Sequence, residues 1–242
     1  MALAAVLAVA VAGLAGWGGW LLAGRHDDAY ASGVGEVRNL VLADGSSATL
    51  GSDSRIAVHI GRAARDVALL QGEAFFDVAH DRGRPFVVAA GSRRVVAVGT
   101  RFSVRQDAAS LRVVVTGGTV RLDGPRGEDG RAPPAMLLPA GSVATAGPDG
   151  VLVRTLAVAE AERLLQWRSG FLSFEDTALA AAVAEFNRYT TRKLVLADAT
   201  VARLRIGGNV RWDNADGFAR LLELGFPVRA ERLPDRIVLH AR

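Results

Sequence analysis

Cysteine is absent from the 242 residues, which removes disulfides, thiolate metal sites, cysteine nucleophiles and any lipid anchor built on a lipobox cysteine. Lysine is nearly absent too, Lys193 being the one lysine among 29 Lys and Arg. The net charge of +4 therefore rests on arginines, which fall in short pairs such as Arg62 with Arg65 and Arg93 with Arg94. They are not interleaved with aromatic residues as a nucleic-acid groove requires, so nucleic acid is not an expected partner. The four histidines, His26, His59, His80 and His240, share no ligand spacing, and no metal or other cofactor is expected. No nucleophile elbow, Walker loop or dinucleotide fingerprint stands in its required context, so no catalytic residue is assigned. Glu73, Asp77 and Asp81 recur four apart, but in a strand-rich region that spacing makes no site, and they read as surface positions. A β enzyme acting on carbohydrate would need two convergent acids, which the sequence does not identify.

Charged side chains are missing from residues 1–24, a length that matches the ~20 residues needed to span the hydrocarbon core. A single membrane helix is expected there, with Trp17 and Trp20 near its far interface and Arg25, His26, Asp27 and Asp28 ending the apolar run. A cleaved signal peptide is the alternative, with Ala23 near a cut, but the basic n-region is missing and the apolar stretch is long for one. Gly13 and Gly16 could seat a partner helix. The flanking charges do not fix orientation.

Half of the chain is hydrophobic, enough for one or two cored domains. After a linker at 25–33, residues 34–155 show apolar residues alternating or running in short blocks broken by glycine, which are strand and turn signals. Such blocks break and resume around Gly45, Gly72, Gly99, Gly117 and Gly141. This uneven repeat predicts a solenoid-like or rolled β domain, with an ordinary sandwich as the alternative. Residues 124–134 read as an exposed loop. A second linker, 156–170, leads to a C-terminal module at 171–242. There Phe171, Leu172 and Phe174 read as a strand, and Asp176 and Thr177 offer an N-cap. Leu179, Val183, Phe186 and Tyr189 then form one helical stripe. A second helix starts near Asn214 with Phe218, Leu221 and Leu222 on one face. The predicted order, βαβ then βαββ, suits a small open sheet covered by two helices, whose edge could pair with a partner. The overall class is mainly β with a C-terminal α+β module.

Several segments together resemble the FecR-like family of transmembrane anti-sigma regulators. They are Leu42-Ala43-Asp44-Gly45-Ser46, then Leu70-Gln71-Gly72-Glu73-Ala74-Phe75-Phe76-Asp77-Val78-Ala79, then Arg84-Pro85-Phe86-Val87-Val88. Val98-Gly99-Thr100-Arg101-Phe102-Ser103-Val104 and Gly118-Thr119-Val120 follow in the family's order. Trp167, Gly170, Leu172, Phe174, Thr177, Leu179 and Asn187-Arg188-Tyr189 resemble the family's junction and its secretin/TonB short N-terminal domain. The resemblance implies a non-enzymatic regulator in the inner membrane with its C-terminal region in the periplasm. Its implied partners are the periplasmic signalling domain of a TonB-dependent outer-membrane receptor, an extracytoplasmic-function sigma factor and a membrane protease. Family members carry a sigma-binding domain before the membrane helix, and this chain begins within that helix, so the expectation is either that sigma binding resides upstream of a fragment or mis-started product, or that this member acts without its own inhibitory domain. A constitutive envelope scaffold is the rival reading. For the receptor contact, Arg188, Arg236, Val238 and His240 are the candidates, on the expectation that the last strand lies at a sheet edge. Phe75, Phe86 and Phe102 are expected in the core.

Overall fold

The computed structural model describes residues 28–108, 110–125 and 134–242. The expected membrane span at 1–24 lies outside them, as does most of the 124–134 loop. Among the described residues no helix is long and apolar enough to cross a membrane.

Thirteen strands build the first module: β1 (Asp28–Ala31), β2 (Arg38–Val41), β3 (Ser47–Leu50), β4 (Arg55–Ile60), β5 (Arg65–Asp77), β6 (Phe86–Ala90), β7 (Arg93–Ala97), β8 (Arg101–Gln106), β9 (Leu111–Gly117), β10 (Thr119–Asp123), β11 (Met136–Pro139), β12 (Ser142–Gly147) and β13 (Gly150–Thr155). They form one curled sheet hinged on the 13-residue β5. Its first half lies between β4 and β6, and its second half between β3 and β8. The sheet thus folds over on itself. Ile56, Val67, Leu69, Phe86 and Val95 on one layer meet Leu50, Phe76, Phe102, Val104 and Val113 on the other. Phe76 is the centre, 5.6 Å from Phe86 and 5.5 Å from Phe102 between ring centroids. The β5–β6 pair is parallel, and the other pairings of the described sheet are antiparallel. A curled sheet is therefore present where a stack of solenoid coils was the other expectation. The glycines that suggested a repeat serve unlike ends: Gly45 turns β2 into β3, Gly72 bends β5, and Gly99 leaves room for His80.

A buried ion pair closes one end of the roll. Arg65 donates to Asp44 at 3.0 Å, to Ala79 O at 2.9 Å and to Arg84 O at 2.6 Å. Asp44 also accepts from the backbone and hydroxyl of Ser46, and its pKa lies below the usual range; burial, the largest influence, opposes this, and these hydrogen bonds together with Arg65 overcome it. The Asp44-Gly45 turn is thereby tied to β5.

Residues 28–31, expected within a linker, are strand β1 on β4. The second expected linker holds helix α1 (Val158–Arg163) and a 3-10 turn at Gln166–Ser169. The C-terminal elements are β14 (Phe171–Ala178), α2 (Leu179–Phe186), β15 (Lys193–Leu196), α3 (Ala199–Ala202), β16 (Arg205–Arg211), α4 (Ala215–Gly225), β17 (Val228–Arg232) and β18 (Arg236–Ala241). Instead of one open sheet they form two: β14 with β16, and β15-β18-β17. Asp176 and Thr177 do not cap α2, because β14 runs on to Ala178. Asp176 sits in a bulge at φ 41° paired with Arg205, and Thr177 bonds Glu175. Asn214 does cap α4, accepting from the Gly217 N–H at 2.8 Å.

The bend in β5 yields a test. Gly72 has φ 81°, and a Cβ there would lie 2.3 Å from Ser54 Oγ and 2.7 Å from Asp53 O; Gly45 has φ 83° with nothing within 4 Å. Both substitutions incur the left-handed penalty of about 1 kcal/mol, and Gly72→Ala adds a clash with backbone. Gly72→Ala should lower the thermal midpoint by about 6 °C or more and Gly45→Ala by about 2–4 °C. Equal shifts would contradict this account of the hinge.

Candidate functional site

Strand alternation sends Ala74 and Phe76 into the rolled core, and so it must send Glu73 and Phe75 to the opposite face. That face is also covered. Register places Phe75 beside Ser103, Ser103 beside Val114 and Val114 beside Val143, a row across β5, β8, β9 and β12. Phe75, Val114 and Val143 are buried against Ala161, Leu165 and Trp167, and the C-terminal module continues the same cluster through Leu172, Phe186 and Tyr189. The Arg168 guanidinium lies 3.9 Å from the Phe75 ring centroid. Phe86 and Phe102 fill the core as expected, while Phe75 fills this second contact instead. Two buried faces explain the unbroken Val113-Val114-Val115 run.

One register step away runs a row of charge: Glu73 beside Arg105, and Arg105 beside Arg112. Glu73, expected at the surface, is completely buried. Its carboxylate accepts from Ser103 Oγ at 2.9 Å and from Arg188 at 3.4 Å, with Arg112 at 3.8 Å. From α2 and its C-terminal end, Glu185 and Arg188 close the seam. Arg105 donates to Glu185 at 2.6 Å and Arg188 donates to it at 2.8 Å. Asp107 holds Arg105 from outside at 2.9 Å, so three arginines meet three carboxylates. Burial would raise the Glu185 pKa, but Arg188, Arg105 and Arg112 outweigh it and hold the carboxyl below its usual range. Burial, and after it Glu73 and Glu185, push the Tyr189 phenol up. The Tyr189 ring stacks on Trp212, centroids 5.4 Å apart.

Backbone contacts pin the seam's end. Ser52 Oγ donates to Arg188 O at 2.6 Å and accepts from the Gly35 N–H at 2.9 Å. Gly35 has φ 74°, and a Cβ there would lie 2.8 Å from Tyr189 O. Trp212 Nε1 donates to Trp167 O at 3.1 Å.

The four residues singled out from the sequence separate in space. Arg188 belongs to the seam inside the molecule. Arg236, Val238 and His240 share the outer face of β18, with Ile237 and Leu239 buried behind them. Strand β18 lies between β15 and β17, so the expected edge position is corrected to a central one. The parallel β15–β18 pairing draws the last strand into the middle. Arg236 pairs with Asp235 at 3.1 Å and His240 with Glu231 at 3.1 Å. Sequence reasoning missed Glu73, Arg105, Arg112 and Glu185. The consecutive Ala74-Phe75-Phe76 carries the available signal, since a strand apolar on both faces has both covered.

The sequence model described as FecR protein matches residues 28–121, which run from β1 into β10. Two crystal structures of a candidate anti-sigma factor from Parabacteroides distasonis ATCC 8503, at 1.65 and 2.50 Å, superimpose with a TM-score of 0.73. They share 23% identity with this chain and cover 89% of it and 99% of their own chain. No curated protein matches in sequence.

The seam has a measurable signature. Removing the Glu73 charge alone leaves Arg188 and Arg112 facing a neutral group in a buried site, so Glu73→Gln should cost about 3 kcal/mol. In a double-mutant cycle, Arg188→Met should recover at least about 1 kcal/mol of that loss, whereas strict additivity would show that the two are not coupled. For pH, Glu185 has a folded pKa below its unfolded value near 4.3. Its contribution is complete above that unfolded value and is lost as pH falls through the folded one. Hydrogen exchange at α2 should thus be constant from pH 7 to about 5.5, after correction for intrinsic rates, and protection should fall in more acidic buffer. Protection unchanged down to pH 3 would contradict the sign. Residues 28–121 are thus similar to the FecR protein family, and 89% of the chain shares the fold of those two crystal structures.

Proposed function

We propose that this chain is the periplasmic receiving part of a transmembrane sigma-factor regulator. The FecR match over residues 28–121 carries the reading, and the likeness in fold to a candidate anti-sigma factor supports it. In this reading residues 1–24 anchor the chain once in the inner membrane, and residues 171–242 act as the secretin/TonB short N-terminal-like receiver. That receiver meets the periplasmic signalling domain of a TonB-dependent, siderophore-type receptor. Output passes to an extracytoplasmic-function sigma factor, with a membrane protease executing release. No enzymatic step belongs to the chain itself.

The seam suits a relay on physical grounds. A buried ion-pair network contributes little net stability when complete, because desolvation offsets attraction, yet losing one member is costly. Docked and separated modules are both tolerable, and partly broken arrangements are not. Such an interface switches between two states instead of deforming gradually.

The test is transcriptional and biochemical. In a strain lacking the regulator, promoters of the sigma factor should lose their response to the receptor's inducer, and the full chain should bind the signalling domain of the neighbouring receptor. Unchanged promoters with inducer present would favour a constitutive envelope scaffold. Undiminished binding by residues 1–165 would overturn the assignment of the receiver to 171–242.

A further inference from the structure

Helix α4 does not bury its whole apolar surface. Phe218 and Leu222 face the core, whereas Leu221 and Leu224 are 57% and 76% exposed. Leu221 was expected on the buried face. With Phe171 and Val210 the two leucines line an open, mainly apolar groove of about 400 Å³. Strand β16 forms one bank, and among the described residues it pairs with β14 alone.

The ladder fixes which backbone groups of β16 face away. Trp212 N–H donates to Gly170 O, and the register sets Val210 opposite Leu172 and Asn209 opposite Ser173. Antiparallel alternation turns Trp212, Val210 and Gly208 toward β14, and so leaves the N–H and C=O of Asn209 and Gly207 on the open side. An unpaired strand edge beside exposed leucines is a template for another strand. The rim adds a charge preference. Arg211 is balanced by Asp213 at 2.6 Å, while Arg220, also lining the groove, has no ion pair among the described residues.

We infer that this groove takes an extended protein segment as an added strand on β16, its apolar side chains against Leu221, Leu224 and Phe171 and a carboxylate at Arg220. The inference rests on the receiving role proposed above and names the surface through which the receptor's signalling domain is bound. It moves the contact away from the outer face of β18, where Arg236, Val238 and His240 lie.

Asn209→Pro removes an N–H that β14 does not use, and an outward edge position tolerates proline. Leu221→Asp alters an exposed side chain. In titrations of the full chain with the isolated signalling domain, each should weaken binding at least tenfold with thermal midpoints within about 3 °C of the parent. Residues 207–211 should gain protection from hydrogen exchange on binding, and Val238→Asp should change Kd less than threefold. Full affinity in both groove variants, or a tenfold loss in Val238→Asp alone, would overturn the groove assignment and leave the receiving role standing. Absence of any binding to the parent chain would overturn both. Self-association of the chain that Leu221→Asp abolishes would make the occupant a second copy and refute the inference. Should Asn209→Pro fail to fold, Leu221→Asp and the exchange data decide the matter.

Discussion

Covering the second face of the rolled sheet is the constraint on which the rest of the structure depends. The first module could have ended as a roll with one buried face and one wet face. Instead the strands that supply Phe76, Val104 and Val113 to the inner core also present Phe75, Val114 and Val143 outward, and these need a lid. The C-terminal module is that lid. Its docking carries Glu73 out of water, and a buried carboxylate must be met by charge and hydrogen bonds. Arg188, Arg112 and Ser103 meet it. The rolled sheet and the C-terminal module thus share one junction, in which apolar contact supplies adhesion and the ionic row sets register.

That arrangement ties the two parts energetically. A partner seated on α4 and β16, as proposed, would act on the same small module that holds Glu185 and Arg188 against the sheet. The guanidinium of Arg188 and the carboxylate of Glu73 lie together in the seam, so displacing α2 would uncover both. The roll is braced independently by the buried Arg65–Asp44 ion pair, inside the first module. Ionic contacts thus join the two modules to one another as well as the roll to itself.

Much of the architecture is legible in the chain because it follows local rules. Alternation marks the strands, Asn214 caps its helix, and the Leu179, Val183, Phe186 and Tyr189 stripe is buried as its spacing requires. What escaped depends on long-range pairing. The parallel union of β15 with β18 places the last strand centrally, and nothing within residues 236–241 announces it. Splitting of the C-terminal sheet likewise reflects β14 and β16 choosing each other. The seam draws on residues from 73 to 188, and its charges are ordinary arginines and glutamates until the strand register aligns them. Only Ala74-Phe75-Phe76, apolar on both faces, hinted that Glu73 was covered.

In the proposed receiving role, receptor contact is felt at the seam. Because cysteine is absent, spin labels can be placed at two introduced cysteines, Leu152→Cys on β13 and Arg203→Cys beside α3, with no competing thiol. Double electron–electron resonance on the full chain should give one narrow inter-module distance alone and a second, longer population with saturating signalling domain. A distribution unaltered by a signalling domain shown to be bound would contradict the account.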